Sequence, residues 1–254
     1  MNISGNTIFI PGATSGIGLA LALRFKDAGN TVIIGGRRAA LLDELAQQHG
    51  FDTVQLDTSD AASITAAAAE LIARHPDLNV LIAMAGIMHA EDWHRAEGFL
   101  ASAEQTITTN LLGPIRLIGA FIEHLQTRPD ATIMTVSSGL AHTPLAFTPS
   151  YNATKAAIHM LSESIRLQLA DTSVKVTELV PPLVATELMP GQSQDPNALP
   201  LDAFVDEVMQ LIEAQPDAHE ILVERVHFLR YGEARGDYDQ VVAALNGGHR
   251  DVTA

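Results

Sequence analysis

The sequence predicts an α/β fold, a doubly wound parallel sheet of about seven strands with helices on both faces. Short apolar runs alternate with longer helical patterns, and the first run leads directly into a glycine-rich turn. Residues 80–86 form an unbroken apolar run, which is typical of a central strand buried on both faces. At 254 residues, without a repeat or linker, the chain fits one domain over residues 1–254.

Composition excludes several classes of function. The chain has 15 Lys and Arg against 30 Asp and Glu, a net charge of −15, which argues against nucleic acid or an anionic membrane as partner. It contains no cysteine, so disulfides, thiolate metal sites and thiol nucleophiles are excluded. No signal-peptide pattern or membrane-length apolar run is present. We expect a cytoplasmic protein.

The first strand, over residues 7–10, is followed by a turn that contains Gly12, Gly16 and Gly18, and then by a helix. Glycines allow the backbone to approach a pyrophosphate, and a helix amino terminus offers free N–H groups. Because no lysine follows, a nucleoside triphosphate P-loop is not indicated. The context favours dinucleotide binding over the alternative, a plain turn between strand and helix.

The second strand, over residues 31–34, ends in Gly35, Gly36, Arg37 and Arg38. An acid at this position would bind the ribose 2′-hydroxyl of NAD, whereas the forked donors of arginine suit a 2′-phosphate. The pair therefore favours NADP(H) over NAD(H); the alternative is a solvated basic turn. Asp57, after a third strand, either accepts a hydrogen bond from adenine or caps the next helix.

Further elements follow in order. A long helix over 101–125 contains Asn110 and should kink at Pro114. Strands are predicted over 131–137, 174–180 and 221–223, and a helix over 201–214. The Gly- and Pro-bearing segment near 187–200 is interpreted as a substrate loop or lid. Residues 232–254 receive no assignment.

Tyr151 and Lys155 are four residues apart at the start of a helical pattern, so they lie on one side of the helix. A neighbouring ammonium should lower the pKa of a phenol and prepare it for proton transfer near neutral pH. Ser138, at a strand end, is placed to hold a substrate oxygen. The alternative for the pair is a solvated helix surface. Further along the same helix, apolar residues recur every four positions, which predicts that one face of the helix is apolar. They are Ala157, Leu161, Ile165 and Leu169.

The substrate pocket is expected to involve loop residues, although plain loop packing is equally consistent with their positions. They are Trp93, His94, Leu140, His142 and Phe147. The ten histidines show no ligand spacing such as H-E-x-x-H, so no metal is predicted. No G-x-S-x-G elbow occurs, which argues against a serine hydrolase.

Together these residues resemble the single-domain type of the short-chain dehydrogenase/reductase family, which has a Rossmann fold. Within it, the chain is similar to the DltE-like branch. The resemblance is carried by motifs in order along the chain: Gly12, Gly16 and Gly18; Ala85 and Gly86; Asn110; Ser138; Tyr151 and Lys155; and Pro181 to Thr186.

The resemblance implies an oxidoreductase that transfers a hydride between NADP(H) and a carbonyl or secondary alcohol. Tyr151 would be the general acid or base, Lys155 would lower its pKa and bind the ribose, Ser138 would hold the carbonyl, and Asn110 would keep a water for proton relay. A homodimer or homotetramer is implied. The implied cofactor-binding residues are Gly12, Thr14, Ser15, Gly16, Ile17, Gly18, Arg37, Arg38, Asp57, Thr58, Ala85, Gly86, Tyr151, Lys155, Pro181, Val184 and Thr186.

Two departures from the family pattern bear on cofactor affinity. Pro11 stands where a threonine is usual, and Ala83 and Met84 replace two asparagines. They motivate an alternative, a non-catalytic NADP(H)-binding sensor or scaffold. The complete set of Asn110, Ser138, Tyr151 and Lys155 argues against it, because a sensor does not need Tyr151.

Overall fold

The structure, a computed structural model, describes residues 1–247. Its strands all belong to one parallel sheet with the order β3-β2-β1-β4-β5-β6-β7, which confirms the predicted fold class. The strands are β1 Thr7–Pro11, β2 Thr31–Gly36, β3 Asp52–Gln55, β4 Val80–Ala83, β5 Thr132–Val136, β6 Lys175–Leu179 and β7 Glu220–Ile221.

Helices connect the strands and continue after the last one. They are α1 Gly16–Asp27, α2 Ala39–His49, α3 Ala61–Arg74, α4 Leu100–Ile107, α5 Gly113–Leu125, α6 Pro149–Gln168, α7 Leu201–Ala214, α8 His227–Arg230, α9 Gly232–Arg235 and α10 Tyr238–Asn246. Short 3₁₀ turns lie at Ala96–Gly98, Gly139–Ala141, Gln192–Gln194 and Glu224–Val226. None of the helices within residues 1–247 has the length and apolarity needed to cross a membrane.

The sheet separates two apolar cores because successive side chains of a strand point to opposite faces. On β1, Ile8 and Ile10 face one core and Phe9 faces the other. The first core also contains Phe25 of α1 and Phe204 of α7. The second contains residues of α3 and α5, where the ring of Phe121 lies 5.5 Å from that of Phe9. Both faces of the central strands are therefore buried, as the unbroken apolar runs predict.

The predicted helix over 101–125 is interrupted. A π-helical turn at Thr108–Leu112 separates α4 from α5, and Pro114 occupies the first turn of α5. Proline fits there because it has no backbone N–H to contribute. Asn110 lies in this π turn. The helix is therefore disrupted near Pro114, as predicted, but by a π turn before the proline.

Residues 232–247, which the sequence left unassigned, form α9 and α10. The remaining part of that unassigned segment, residues 248–254, lies outside the described residues. Near the predicted lid, Val184 forms an isolated parallel bridge with Leu199. The carboxyl-terminal end of the 187–200 segment is therefore held next to the residues that precede the segment.

Candidate active site

A cleft of about 1070 Å³ opens at the carboxyl ends of the strands. Ligands of open parallel sheets bind at this edge. Its lining includes every residue that the sequence analysis assigned to cofactor binding, together with Ser138. Segments far apart in sequence therefore meet around one cavity.

The glycine turn after β1 is packed too closely to accept side chains. Gly12 has a φ of +85°, and a Cβ there would lie 2.7 Å from the Cα of Ala85. A Cβ on Gly18 would lie 2.8 Å from the carbonyl oxygen of Gly12. The first contact brings the turn against the loop after β4, and the second packs the start of α1 onto the turn, so the turn presents main chain to the cleft.

The helix α1 begins at Gly16 and points its amino terminus into the cleft, where Ser15 and Gly16 are both lining residues. In the described part of the chain, the side chain of Ser15, the N-cap residue, caps none of the first N–H groups. These donors and the positive end of the helix dipole suit an anion such as a pyrophosphate. The residues present therefore fit the phosphate groups of a dinucleotide.

Pro11 is accommodated at the end of β1. The pairing of β1 with β4 extends only through Ile8 and Phe9, so the missing N–H of Pro11 removes no ladder bond to β4. On the other side, Gly12 N–H donates to the carbonyl oxygen of Gly35 at 2.8 Å. Met84 lines the cleft and packs against the first core. Both departures from the family pattern are therefore compatible with an open cleft.

The arginines that follow β2 are exposed and line one end of the cleft. Arg38 donates a hydrogen bond from Nη2 to the Thr14 hydroxyl at 3.1 Å. Asp57 accepts from both the backbone and the hydroxyl of Ser59, and these bonds lower the pKa of its carboxyl group. The cap of α3 is Asp60 instead. Of the two roles considered for Asp57, capping of α3 is thus wrong.

Tyr151, Lys155 and Ser138 meet at the floor of the cleft, and all three are at most 8% exposed. Nζ of Lys155 lies 5.4 Å from the centroid of the Tyr151 ring and donates to the carbonyl oxygen of Val136 at 2.8 Å. The Ser138 hydroxyl accepts from the N–H of Leu140 and interacts with the Tyr151 phenol. The alternative for Tyr151 and Lys155, a solvated helix surface, is wrong because both side chains are buried.

The expected lowering of the Tyr151 pKa is wrong. Burial raises the pKa of the phenol to about 12, although the Ser138 hydroxyl acts in the opposite direction. Burial also lowers the pKa of Lys155 to about 8, against the attraction of Glu178. Desolvation disfavours the charged form of both groups, and sequence spacing carries no information about desolvation.

The inward face of α6 also differs from the prediction. Ala157, Leu161, Ile165 and Leu169 are only partly buried. The buried face contains Tyr151, Thr154, Lys155, Ile158 and Ser162. Polar residues can occupy this buried face because their polar groups are hydrogen-bonded. The hydroxyls of Ser162 and Thr135, for example, are 2.6 Å apart.

Asn110 is 1% exposed and holds the loop after β4. Its Oδ1 accepts from the N–H of Ile87, and its Nδ2 donates to the carbonyl oxygen of the same residue, both at 2.8 Å. A Cβ built on Gly86 would lie 3.5 Å from Oδ1 of Asn110 and 3.9 Å from Nζ of Lys155. The π turn thus brings Asn110 next to the lysine and fixes the main chain between them.

The structure places the predicted substrate-contact residues away from the cleft lining. Trp93 is 54% exposed and stacks on Phe99 at 4.1 Å. The His94 side chain is exposed and pairs with Asp92. The remaining three, Leu140, His142 and Phe147, are also not lining residues of this cleft.

Several lining residues were not singled out from the sequence, among them Met88, Gln105, Leu188 and Gln192. Gln192 donates from Nε2 to the carbonyl oxygen of Val184 at 2.9 Å and to the Thr186 hydroxyl at 3.3 Å. The position of Gln192 within the Gly- and Pro-bearing segment was the only available sequence signal for it.

Comparison with known proteins agrees with this geometry. The profile of the short chain dehydrogenase family matches residues 6–197. The chain is 39% identical to the oxidoreductase DltE of Bacillus subtilis (strain 168) over 250 residues, which cover 97% of this chain and 98% of that protein. It is 34% identical over 180 residues to the NADP-dependent 3-hydroxy acid dehydrogenase YdfG of Salmonella typhi, covering 70% of this chain and 72% of that protein.

The fold is shared with solved structures. A short chain dehydrogenase from Burkholderia cenocepacia J2315, crystallised with NADP, superposes with a TM-score of 0.82. The match covers 96% of this chain and 99% of that chain at 24% sequence identity. At this identity, the likeness concerns the fold alone.

Proposed function

The chain belongs to the short chain dehydrogenase family of oxidoreductases, and we propose that it transfers a hydride between NADP(H) and a carbonyl or secondary alcohol substrate. The observation that carries the proposal is the buried group of Ser138, Tyr151 and Lys155 at the floor of the cleft that also contains the glycine turn. The nicotinamide cofactor supplies the hydride. The protein therefore has to orient the substrate and move one proton.

In carbonyl reduction, Tyr151 donates its proton to the substrate oxygen, and in alcohol oxidation it accepts one. Its raised pKa keeps the phenol protonated near neutral pH, which suits the acid role. Ser138 is placed to hydrogen-bond the same substrate oxygen. Lys155, fixed by its bond to Val136, supplies positive charge that stabilises the phenolate as it forms. Asn110 positions the main chain at Ile87, and we assign to it the retention of a relay water.

Cofactor residues surround the rest of the cleft. The turn from Gly12 to Gly18 and the start of α1 would bind the pyrophosphate. Val184 and Thr186 would orient the carboxamide end. Segment 187–200 would act as a lid over the substrate, since Leu188 and Gln192 line the cleft. Its carboxyl-terminal end is anchored by the hydrogen bond from the N–H of Leu199 to the carbonyl oxygen of Leu183 at 2.9 Å.

We further propose assembly as a homodimer or homotetramer through α4, α5 and α6. Apolar side chains there are exposed in the single chain: Ile107, Ile115, Met160 and Leu167, the last at 79%. Burial of such a surface in a partner would remove apolar area from water.

The test of the proposed activity is a substrate panel with the purified protein. NADPH oxidation would be followed with aldehydes, ketones and 3-oxo acids, and NADP⁺ reduction with the matching alcohols. The acids are included because the Salmonella typhi relative is named for 3-hydroxy acids. Turnover of one class supports the proposal. Tight NADPH binding without turnover across the panel would favour the sensor instead.

NADP(H) preference should depend on the arginines after β2. In the double variant R37A/R38A, NADPH should bind more than about tenfold more weakly, which corresponds to ~1.4 kcal/mol, because a 2′-phosphate loses its cationic partners. NADH affinity should change by less than about twofold because NADH lacks that phosphate. Fluorescence titration with both cofactors measures the difference.

The control for charge is Arg74→Ala, which removes an exposed arginine that pairs with Glu70 at 2.7 Å and does not line the cleft. Its NADPH affinity should equal that of the wild type. Equal losses of NADPH and NADH affinity in the double variant would contradict the proposed 2′-phosphate contact.

The two reaction directions should depend on pH with opposite signs. The base form of Tyr151 grows as pH rises toward its raised pKa, so kcat/KM for alcohol oxidation should increase from pH 6 to 8, below which Lys155 with its pKa of about 8 keeps its positive charge. Carbonyl reduction needs the protonated phenol and should not increase over this range. Initial rates in both directions, in buffers of constant ionic strength, provide the measurement. Oxidation that falls as pH rises would exclude Tyr151 as the base.

A further inference from the structure

Where α6 packs against β6, four side chains from separate segments converge. They are His142 after β5, His159 on α6, Glu178 on β6 and Glu220 on β7, and one potential ligand atom from each lies within 4.8 Å of all the others. His159 Nδ1 is 2.8 Å from Oε2 of Glu178, and the rings of His142 and His159 are 4.6 Å apart. None of these residues lines the cleft.

Two polar atoms of this cluster have no partner within the described chain. They are Nε2 of His142 and Oε1 of Glu178, and both are shielded from solvent. Glu178 as a whole is 0% exposed. Buried polar atoms are almost always satisfied, so an atom without a partner here indicates a missing ligand.

The charge of the cluster favours a cation. Glu178 and Glu220 contribute two carboxylates, and Arg230 compensates one of them by binding both oxygens of Glu220 at 2.8 and 2.9 Å. Each carboxylate oxygen has a second lone pair, so Glu220 can keep Arg230 and still bind an ion. Glu178 lacks a comparable arginine or lysine ion pair among the described residues.

We propose that His142, His159, Glu178 and Glu220 bind one divalent transition-metal ion, of which zinc fits best. Imidazole nitrogens select zinc and its neighbours over magnesium and calcium, and four protein ligands make a closed site of the structural type. A tetrahedral zinc ion places its ligand atoms about 3.4 Å apart, which lies within the 4.8 Å that bounds the separations in this cluster.

Such an ion would join the catalytic helix to the sheet. His159 follows Lys155 by one helical turn on α6, and His142 follows the 3₁₀ turn that Ser138 begins. The ligands therefore come from both segments that carry the candidate catalytic group, and from β6 and β7. The bound ion would stabilise the arrangement of these segments without contacting substrate.

The test uses tag-free, chelator-stripped protein titrated with Co²⁺, a spectroscopic substitute for zinc. One equivalent of Co²⁺ should bind, and the complex should absorb visible light strongly, as four-coordinate cobalt does. His142→Gln and Glu178→Gln should each weaken binding by more than about tenfold, since even loss of an outer-shell partner has that effect. His94→Gln is the control because His94 is an exposed histidine beside Asp92, and it should bind as the wild type does.

Absence of Co²⁺ binding by folded wild-type protein would overturn the proposal and leave bound water as the partner of these atoms. Binding that is unchanged in His142→Gln, or that disappears in His94→Gln, would also overturn it. If the Gln variants do not fold by circular dichroism, X-ray absorption of the wild-type complex decides. Two imidazole ligands support the site, and one or none exclude it.

Discussion

Replacement of Tyr151 by phenylalanine should lower kcat by about 10³-fold while NADPH binds with nearly unchanged affinity. The variant keeps the ring and loses only the hydroxyl, so the group proposed to protonate the substrate oxygen is removed. Positioned acid–base groups typically contribute about 10²–10⁴-fold to rate. Because the phenol is buried at the floor of the cleft, water cannot easily replace it. Single-turnover rates and fluorescence titration separate the chemical step from cofactor binding.

The matched control is Tyr231→Phe, which removes a phenol hydroxyl from a residue that does not line the cleft. It should retain wild-type kcat. Full activity of Tyr151→Phe would exclude Tyr151 as the acid. Equal losses in both variants would indicate a general effect on the fold rather than on proton transfer.

Substitution of Gly12 by alanine should abolish tight cofactor binding and destabilise the protein. Its φ of +85° is unfavourable for any L-residue by about 1–2 kcal/mol. The added Cβ would also lie 2.7 Å from the Cα of Ala85, and relief of that contact should cost a further ~1–3 kcal/mol. Because the turn must shift, NADPH should bind more than about tenfold more weakly. Thermal unfolding and cofactor titration measure the two effects.

Gly29→Ala separates backbone strain from the contact. Gly29 has a φ of +90°, but a Cβ there would have nothing within 4 Å. This variant should show only the backbone cost, about 2–4 °C in Tm for each kcal/mol, and normal NADPH affinity. If Gly12→Ala and Gly29→Ala have the same Tm and both bind NADPH normally, the close approach of the turn to Ala85 has no role in binding.

Most of the fold could be predicted from local patterns. The apolar runs of β1, β2 and β4 alternate between two buried faces, and such runs are recognisable without knowledge of their partners. The chain was also recognised as a member of its family from motifs in sequence order, and the family profile confirms this. The position of the glycine turn between a strand and a helix predicts that it binds phosphate, and the structure places the turn in the cleft.

The sequence determined the order of strands and helices along the chain and the residue types that meet at the cleft, because side-chain periodicity and turn-forming residues are local features of the chain. Only the tertiary structure decided which face of α6 is buried, since Ser162 and Lys155 are acceptable there only with partners on β5. It likewise decided the direction of the Tyr151 pKa, because desolvation depends on everything packed around the phenol. The cluster around Glu178 was also decided by the tertiary structure, because its members are distant in sequence and the packing of α6 against the sheet brings them together.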